Sequence, residues 1–211
     1  MTDDDVRSIA MAVHLPAGVA GPAPVEFDVR CFLVRHADGL VLIDTGLEGV
    51  HVVIEPALRE LGADWGDITD VVLTHNHADH VGGLPEVVER AGRSAVWAGA
   101  EDHQGIAYDG ELRELADGDQ VRNLRVLETP GHTPGHRSLV HEAAGALFTG
   151  DVIGSMAGRL SRGPSAFTAD PDRAERSLGV VAALQYDRML FSHGEEVPAP
   201  FEELRQLVAT A

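Results

Sequence analysis

The chain has 211 residues, 44% of them hydrophobic, and a formal charge of −18 from 16 basic and 34 acidic side chains. That size and composition suit one globular domain, read here as residues 1–211. The charge argues against a nucleic-acid partner, since such proteins neutralise phosphates with clustered Lys and Arg, and no apolar run reaches the length of a membrane helix.

From the N-terminus, Met1-Thr2-Asp3-Asp4-Asp5 is acidic where the basic part of a secretory signal would stand, and no apolar segment of the right length follows. The single cysteine, Cys31, cannot form an internal disulfide, so the cytoplasm is the simplest address. Strand-like apolar runs then recur at 25–34, 39–43, 69–73, 94–97, 121–127, 137–140, 146–148 and 188–191. A helix pattern covers 54–61 and ends at Gly62. Three more helices announce themselves by proline near the start: Pro85 with Gly92 beyond the end, Asp170-Pro171 as cap and first residue, and Pro200 before Glu202-Glu203. Strands interspersed with amphipathic helices imply sheets covered by helices. The stretch 154–164, rich in Gly and Ser, reads as a long mobile loop that either lines a site or merely connects.

The densest chemistry follows the run Val71-Val72-Leu73. In Thr74-His75-Asn76-His77-Ala78-Asp79-His80, the six residues from His75 hold three imidazoles and a carboxylate. On an extended segment His75, His77 and Asp79 share one side, while His80 joins them only if the chain turns. Imidazole nitrogen and carboxylate oxygen are ligands that zinc accepts; the bland alternative is a polar loop of solvated histidines. Three later segments have one form in common, an apolar strand ending in a residue able to hold a metal: Leu127-Glu128-Thr129-Pro130-Gly131-His132, Leu147-Phe148-Thr149-Gly150-Asp151 and Met189-Leu190-Phe191-Ser192-His193-Gly194. Strand ends can converge on one sheet edge, and Gly131, Gly150 and Gly194 permit tight turns beside the ligands.

Together with Asp44-Thr45-Gly46 after Val41-Leu42-Ile43, these motifs stand in the order that resembles the metallo-β-lactamase fold superfamily, over nearly the whole chain. The resemblance implies an α+β fold, a four-layer αββα sandwich with metals at one edge of the sheets. It places His75, His77 and His132 on a first metal and Asp79, His80 and His193 on a second, with Asp151 bridging them. Two divalent ions are implied, zinc first, with iron or manganese as alternatives. The implied activity is hydrolysis of a small ester, thioester or lactone by a hydroxide shared between the ions, Asp79 passing the proton. Asp44 is expected to orient a ligand or to serve as a turn residue, and His136 to be structural or near the site. His14, His36, His51, His103 and His141 are read as surface or core residues, with His51 the one to check for proximity.

Within the superfamily the deviations discriminate. Two subclasses of β-lactamase place a cysteine near the position of Asp151 and a third lacks the bridging carboxylate, so a β-lactamase is disfavoured. Glyoxalase II carries a C-terminal helical extension with its glutathione contacts, whereas here one helix follows His193. Lactonases with this ligand set commonly have a tyrosine where Gly154 stands, and Tyr108 or Tyr186 would have to substitute. A mononuclear iron persulfide dioxygenase is the rival reaction, and a non-catalytic metal-binding protein the rival class. The expected partner is a small-molecule substrate, with neither nucleic acid nor membrane.

Overall fold

The computed structural model describes residues 6–18 and 22–209; the acidic N-terminal pentapeptide discussed above lies outside them. Six strands, β1 (Val6–Leu15), β2 (Val25–His36), β3 (Gly39–Ile43), β4 (Ile68–Val72), β5 (Ala95–Ala98) and β6 (Leu112–Glu114), form one sheet in sequence order. The second sheet runs β13-β10-β9-β8-β7, from β7 (Gln120–Val121), β8 (Leu124–Glu128), β9 (Arg137–His141), β10 (Ala146–Phe148) and β13 (Arg188–Leu190). A separate hairpin joins β11 (Gly154–Met156) to β12 (Arg159–Ser161). The helices are α1 (His51–Glu60), α2 (Ala78–Val81), α3 (Leu84–Ala91), α4 (Pro171–Ala182) and α5 (Pro200–Ala209). None is long and apolar enough to cross a membrane among the described residues.

Why both sheets are buried on both faces follows from the alternation of side chains along each strand. In the first sheet Leu33, Leu40, Leu42, Val71 and Leu73 point outward onto Ile54, Leu58, Leu84 and Val87 of α1 and α3. Their neighbours Phe32, Val34, Val41, Ile43 and Val72 point inward, onto Val126, Leu139, Phe148 and Leu190 of the second sheet. That sheet's opposite face, Leu127, Val140, Leu147 and Met189, packs on Leu178, Val181, Phe201 and Leu204 of α4 and α5. Three apolar interfaces therefore separate four layers, helix, sheet, sheet and helix, the αββα order that the resemblance implied. Continuous rather than alternating apolar runs are what strands covered on both faces require.

The helix signals hold at their ends. Asp170 caps α4 by accepting from the Arg173 N–H, and Gly92 closes α3 with φ 74°. Three differences from the sequence reading have physical reasons. β1 escaped notice because only Ile9 and Val13 are buried along this edge strand, which pairs with β2 over its whole length. The run 121–127 is two strands, β7 and β8, joined by the two-residue turn Arg122-Asn123. Residues 154–161, read as loop, form the β11–β12 hairpin around Ala157-Gly158, both with positive φ (51° and 75°), as a tight hairpin turn requires.

Candidate metal centre

All the sequence-flagged ligands leave strands at the same edge of the sandwich. β4 delivers His75 and His77 and runs into α2, whose first turn carries Asp79 and His80; this short helix is the turn that brings His80 round to join the others. β8 delivers His132, β10 Asp151 and β13 His193. Ligand-type atoms fall into three groups, each with all its atoms within 4.8 Å of one another: His75, His77 and His132; His75, His80 and Asp151; Asp79, His80 and His193. The outer two groups have the same members as the two triads that the resemblance implies. Asp151 stands between them, its Oδ2 3.3 Å from His132 Nε2 and 3.3 Å from His193 Nε2.

The hydrogen-bond pattern suits cation binding. His80 Nδ1 lies 2.8 Å from the Asp44 carboxylate and His193 Nδ1 2.7 Å from the Asp28 carbonyl. Neither partner can donate, so each Nδ1 carries the hydrogen and each Nε2 turns toward the centre. His132 Nε2 and His77 Nδ1 are 2.9 Å apart, a separation two imidazole nitrogens tolerate only by sharing a proton or a cation. His75 Nε2, His80 Nε2 and Asp151 Oδ1 are buried without any hydrogen-bond partner. Buried polar atoms left unpaired are costly, and three of them aimed at one point fit a metal of the kind that nitrogen and carboxylate oxygen bind.

Burial holds His75 well below the usual imidazole range and pushes His132 down to about 4, in each case against the attraction of Asp151, so both favour the neutral form that coordinates metals. Burial opposes charge on His80 and His193 as well, but Asp151, joined at His80 by Asp44, outweighs it and raises both. For Asp151 burial favours the neutral acid, yet His80 and then His193 hold the carboxyl well below its usual range.

Around these side chains stands a set of positioning groups, partly legible in advance. Asp44 is fully buried, has φ 57°, and accepts from the Thr74 N–H (2.7 Å) and hydroxyl (2.8 Å) as well as from His80. It thereby holds the imidazole of His80, one of the candidate ligands, in place. His136 is buried among the candidate ligands: its Nε2 accepts from the Asp151 N–H at 2.8 Å while Nδ1 donates to Thr129 Oγ1, and burial lowers its pKa to about 3. A Cβ at Gly150, which has φ 55°, would come within 2.5 Å of that Nε2, so only glycine lets the two segments meet. His136→Ala would strip the Asp151 N–H of its acceptor. The expected cost is about 1–3 kcal/mol of stability in urea unfolding and roughly 10–100-fold in metal affinity.

Asp102 was missed. Completely buried, it accepts from the Asn76 N–H (3.2 Å), the Thr133 hydroxyl (2.6 Å) and the Gly135 N–H (2.8 Å), tying the His75–His80 segment to the loop bearing His132. Nothing local marks it; an acid in a short polar stretch after a strand looks like any surface residue.

Other flagged residues lie elsewhere. His51 pairs with Glu86 on the helical face. Tyr108 packs against the outer core of the first sheet, and the Tyr186 hydroxyl bonds Glu142 and Arg125. The stretch 154–164 does reach the centre: a Cβ on Gly163 would lie 3.8 Å from His132 Nδ1, and His132, Asp151, Arg162, Gly163 and Thr168 line one cavity of about 120 Å³.

Residues 24–193 match the Metallo-beta-lactamase superfamily. The chain is 27% identical to protein YobT of Bacillus subtilis (strain 168), covering 89% of this chain and 92% of that one. It is 41% identical to a hydroxyacylglutathione hydrolase of Bradyrhizobium sp. (strain ORS 278) over 64% of this chain, and spans 56% of that relative's length. Among solved structures, the metallo-beta-lactamase FIM-1 from Pseudomonas aeruginosa in its mono-zinc form superposes with a TM-score of 0.77, at 20% identity, over 100% of this chain and 93% of its own.

Proposed function

The chain belongs to the metallo-beta-lactamase superfamily, and from that membership we propose that it is a hydrolase of a small ester, thioester or lactone, dependent on two divalent metal ions, zinc before iron or manganese. His75, His77 and His132 would hold one ion, Asp79, His80 and His193 the other, and Asp151 would bridge them. The observation that carries this reading is the place of Asp151 Oδ2, equidistant from an imidazole of each triad. Bound ions would supply Lewis acidity and a water of lowered pKa.

The protein's own groups have separable tasks. Asp44 and the Asp28 carbonyl hold His80 and His193 with Nε2 inward. His136 fixes the backbone of Asp151. Asp79, with its side chain partly exposed and Oδ2 3.5 Å from His193 Nε2, is the acid able to exchange a proton between the centre and solvent. The thioester option draws on the similarity to hydroxyacylglutathione hydrolases. We extend the proposal to a single domain over residues 1–211, acting on a small molecule.

Metal quantification beside a panel of p-nitrophenyl esters, lactones and glutathione thioesters tests the reading. Two zinc ions per chain with turnover of a panel member is the expected result; one iron per chain with oxygen uptake on a persulfide would replace it with the dioxygenase. Stripping the metal with a chelator should lower the melting temperature by roughly 5–10 °C, the consequence of losing about 3 kcal/mol of linkage at a hundredfold excess of metal over Kd.

A further inference from the structure

Every basic residue of this chain is an arginine, 16 in all, set against 34 acidic residues. Many are spent on surface carboxylates, as in Arg59 with Glu55, Arg90 with Glu86 and Arg159 with Glu203. Arg93, Arg113 and Arg122 instead converge on one cleft of about 360 Å³, whose walls also include Thr69, Asp70 and Ala95. The cleft opens at the N-terminal ends of β4 and β5, whereas the histidines leave from the opposite end. Along the extended chain from Asp70 to His75 the separation is about 17 Å.

The three guanidinium groups are held in different ways. Arg122 is the first residue of the two-residue turn between β7 and β8 and has φ 57°, a conformation that glycine or asparagine adopts at little cost. Its Nε donates to Asp70 at 2.7 Å, and the buried Asp70 is itself fixed by Trp97 Nε1 (2.9 Å) and Thr69 Oγ1 (2.8 Å). A strained backbone under a side chain locked by a buried carboxylate is an outlier of the kind that marks functional sites. Arg113 lies over the Trp97 ring, 5.1 Å from its centroid, with its nearest carboxylate, Glu111, 4.0 Å away. The Arg93 side chain makes no ion pair or hydrogen bond among the described residues. Asp70 is the one carboxylate among the residues lining the cleft, with Asp38 3.7 Å from Arg122 and Glu111 4.0 Å from Arg113 beside it.

We propose that this cleft binds a small oxyanion of the phosphate type at a site separate from the metal centre. Guanidinium forks match phosphate oxygens two at a time, and Arg122 and Arg113 are already oriented by Asp70 and Trp97, so little side-chain entropy is lost on binding. The volume exceeds that of a bare phosphate and falls in the range of small-molecule sites, leaving room for an organic group attached to it.

Trp97 is a built-in reporter. In a Trp65→Phe background it is the sole tryptophan, and its fluorescence is followed on the metal-loaded protein during titration with inorganic phosphate or phenyl phosphate, against potassium chloride at matched ionic strength. The expected result is a saturable change with phosphate and none with chloride. Arg93→Ala and Arg113→Ala should each weaken binding at least fivefold, and the double variant should remove the response. Tighter binding of phenyl phosphate would identify an organic phosphate as the ligand; equal binding would identify the free anion. Phosphate that meets only the metal ions would titrate identically in the arginine variants, and that outcome overturns the site. Isothermal titration of the chain with both tryptophans gives the same comparison should Trp65→Phe fold poorly.

Discussion

Asp151→Ala should lower turnover of every substrate the protein hydrolyses by about 10³-fold or more, at the upper end of what removing one transition-state stabilising group costs. The carboxylate stands between the two triads, with four imidazoles, those of His75, His80, His132 and His193, within 4.0 Å of its oxygens. Two divalent cations about 4 Å apart repel by roughly 17 kcal/mol at an effective dielectric constant of 20, so a pair of ions cannot be held there without an anion between them. The variant is expected to retain at most one ion per chain. The fold should survive, since the Asp151 backbone N–H still bonds His136 and the flanking Val152 and Ile153 remain in the core. Asp151→Asn keeps the shape without the charge and should fall on the same side, with loss of the second metal before loss of structure. Metal content, circular dichroism and kcat on one preparation decide the matter. An alanine variant that carries two ions and turns over substrate at the wild-type rate would end the bridging assignment.

The candidate ligands could be picked out because they are chemically distinctive and follow apolar strands, directly or, for Asp79 and His80, in the short helix α2 after β4. The apolar runs pointed only to sheets covered by helices, and the four-layer order came from the resemblance; the structure gives its physical basis, since runs such as Leu40-Val41-Leu42-Ile43 are buried on both faces. What escaped depends on tertiary pairing. β1 is a strand because β2 offers it a partner, and its own sequence buries little. His136 and His132 lie in the same Thr-Pro-Gly-His pattern, and only the fold shows that one nitrogen of His136 is spent on the Asp151 N–H and the other on Thr129. The cleft of Arg93, Arg113 and Arg122 draws on three segments, none of which is basic by itself.

Asp102 gives the second large effect, through stability and metal affinity together. Its two oxygens hold one N–H beside His75 and His77, one hydroxyl beside His132 and the N–H of Gly135. The neighbourhood leaves no slack: a Cβ on Gly135 would stand 2.6 Å from the Asp102 carboxyl carbon, and one on Gly99 would stand 2.1 Å from the Gly135 carbonyl oxygen. Asp102→Ala would leave three donors without their acceptor in a buried site, each costing about 1–3 kcal/mol before relaxation; the Thr133 hydroxyl can rotate away, so the expected total is roughly 3–5 kcal/mol. Because the carboxylate joins the segment bearing His75 and His77 to the one bearing His132, the first triad should loosen, and metal affinity there should fall about 10–100-fold. Asp102→Asn separates the two effects. Its amide oxygen can still accept, but its NH2 must face donors, so the stability loss should be intermediate. The measurement is urea unfolding of metal-free and metal-loaded protein, with the midpoint shifting at constant m-value. An alanine variant within 1 kcal/mol of wild type that binds metal as tightly would mean that the two loops hold their places without Asp102. Loss of stability with unchanged metal affinity would confine the residue to the packing of the loops and remove it from the support of the centre.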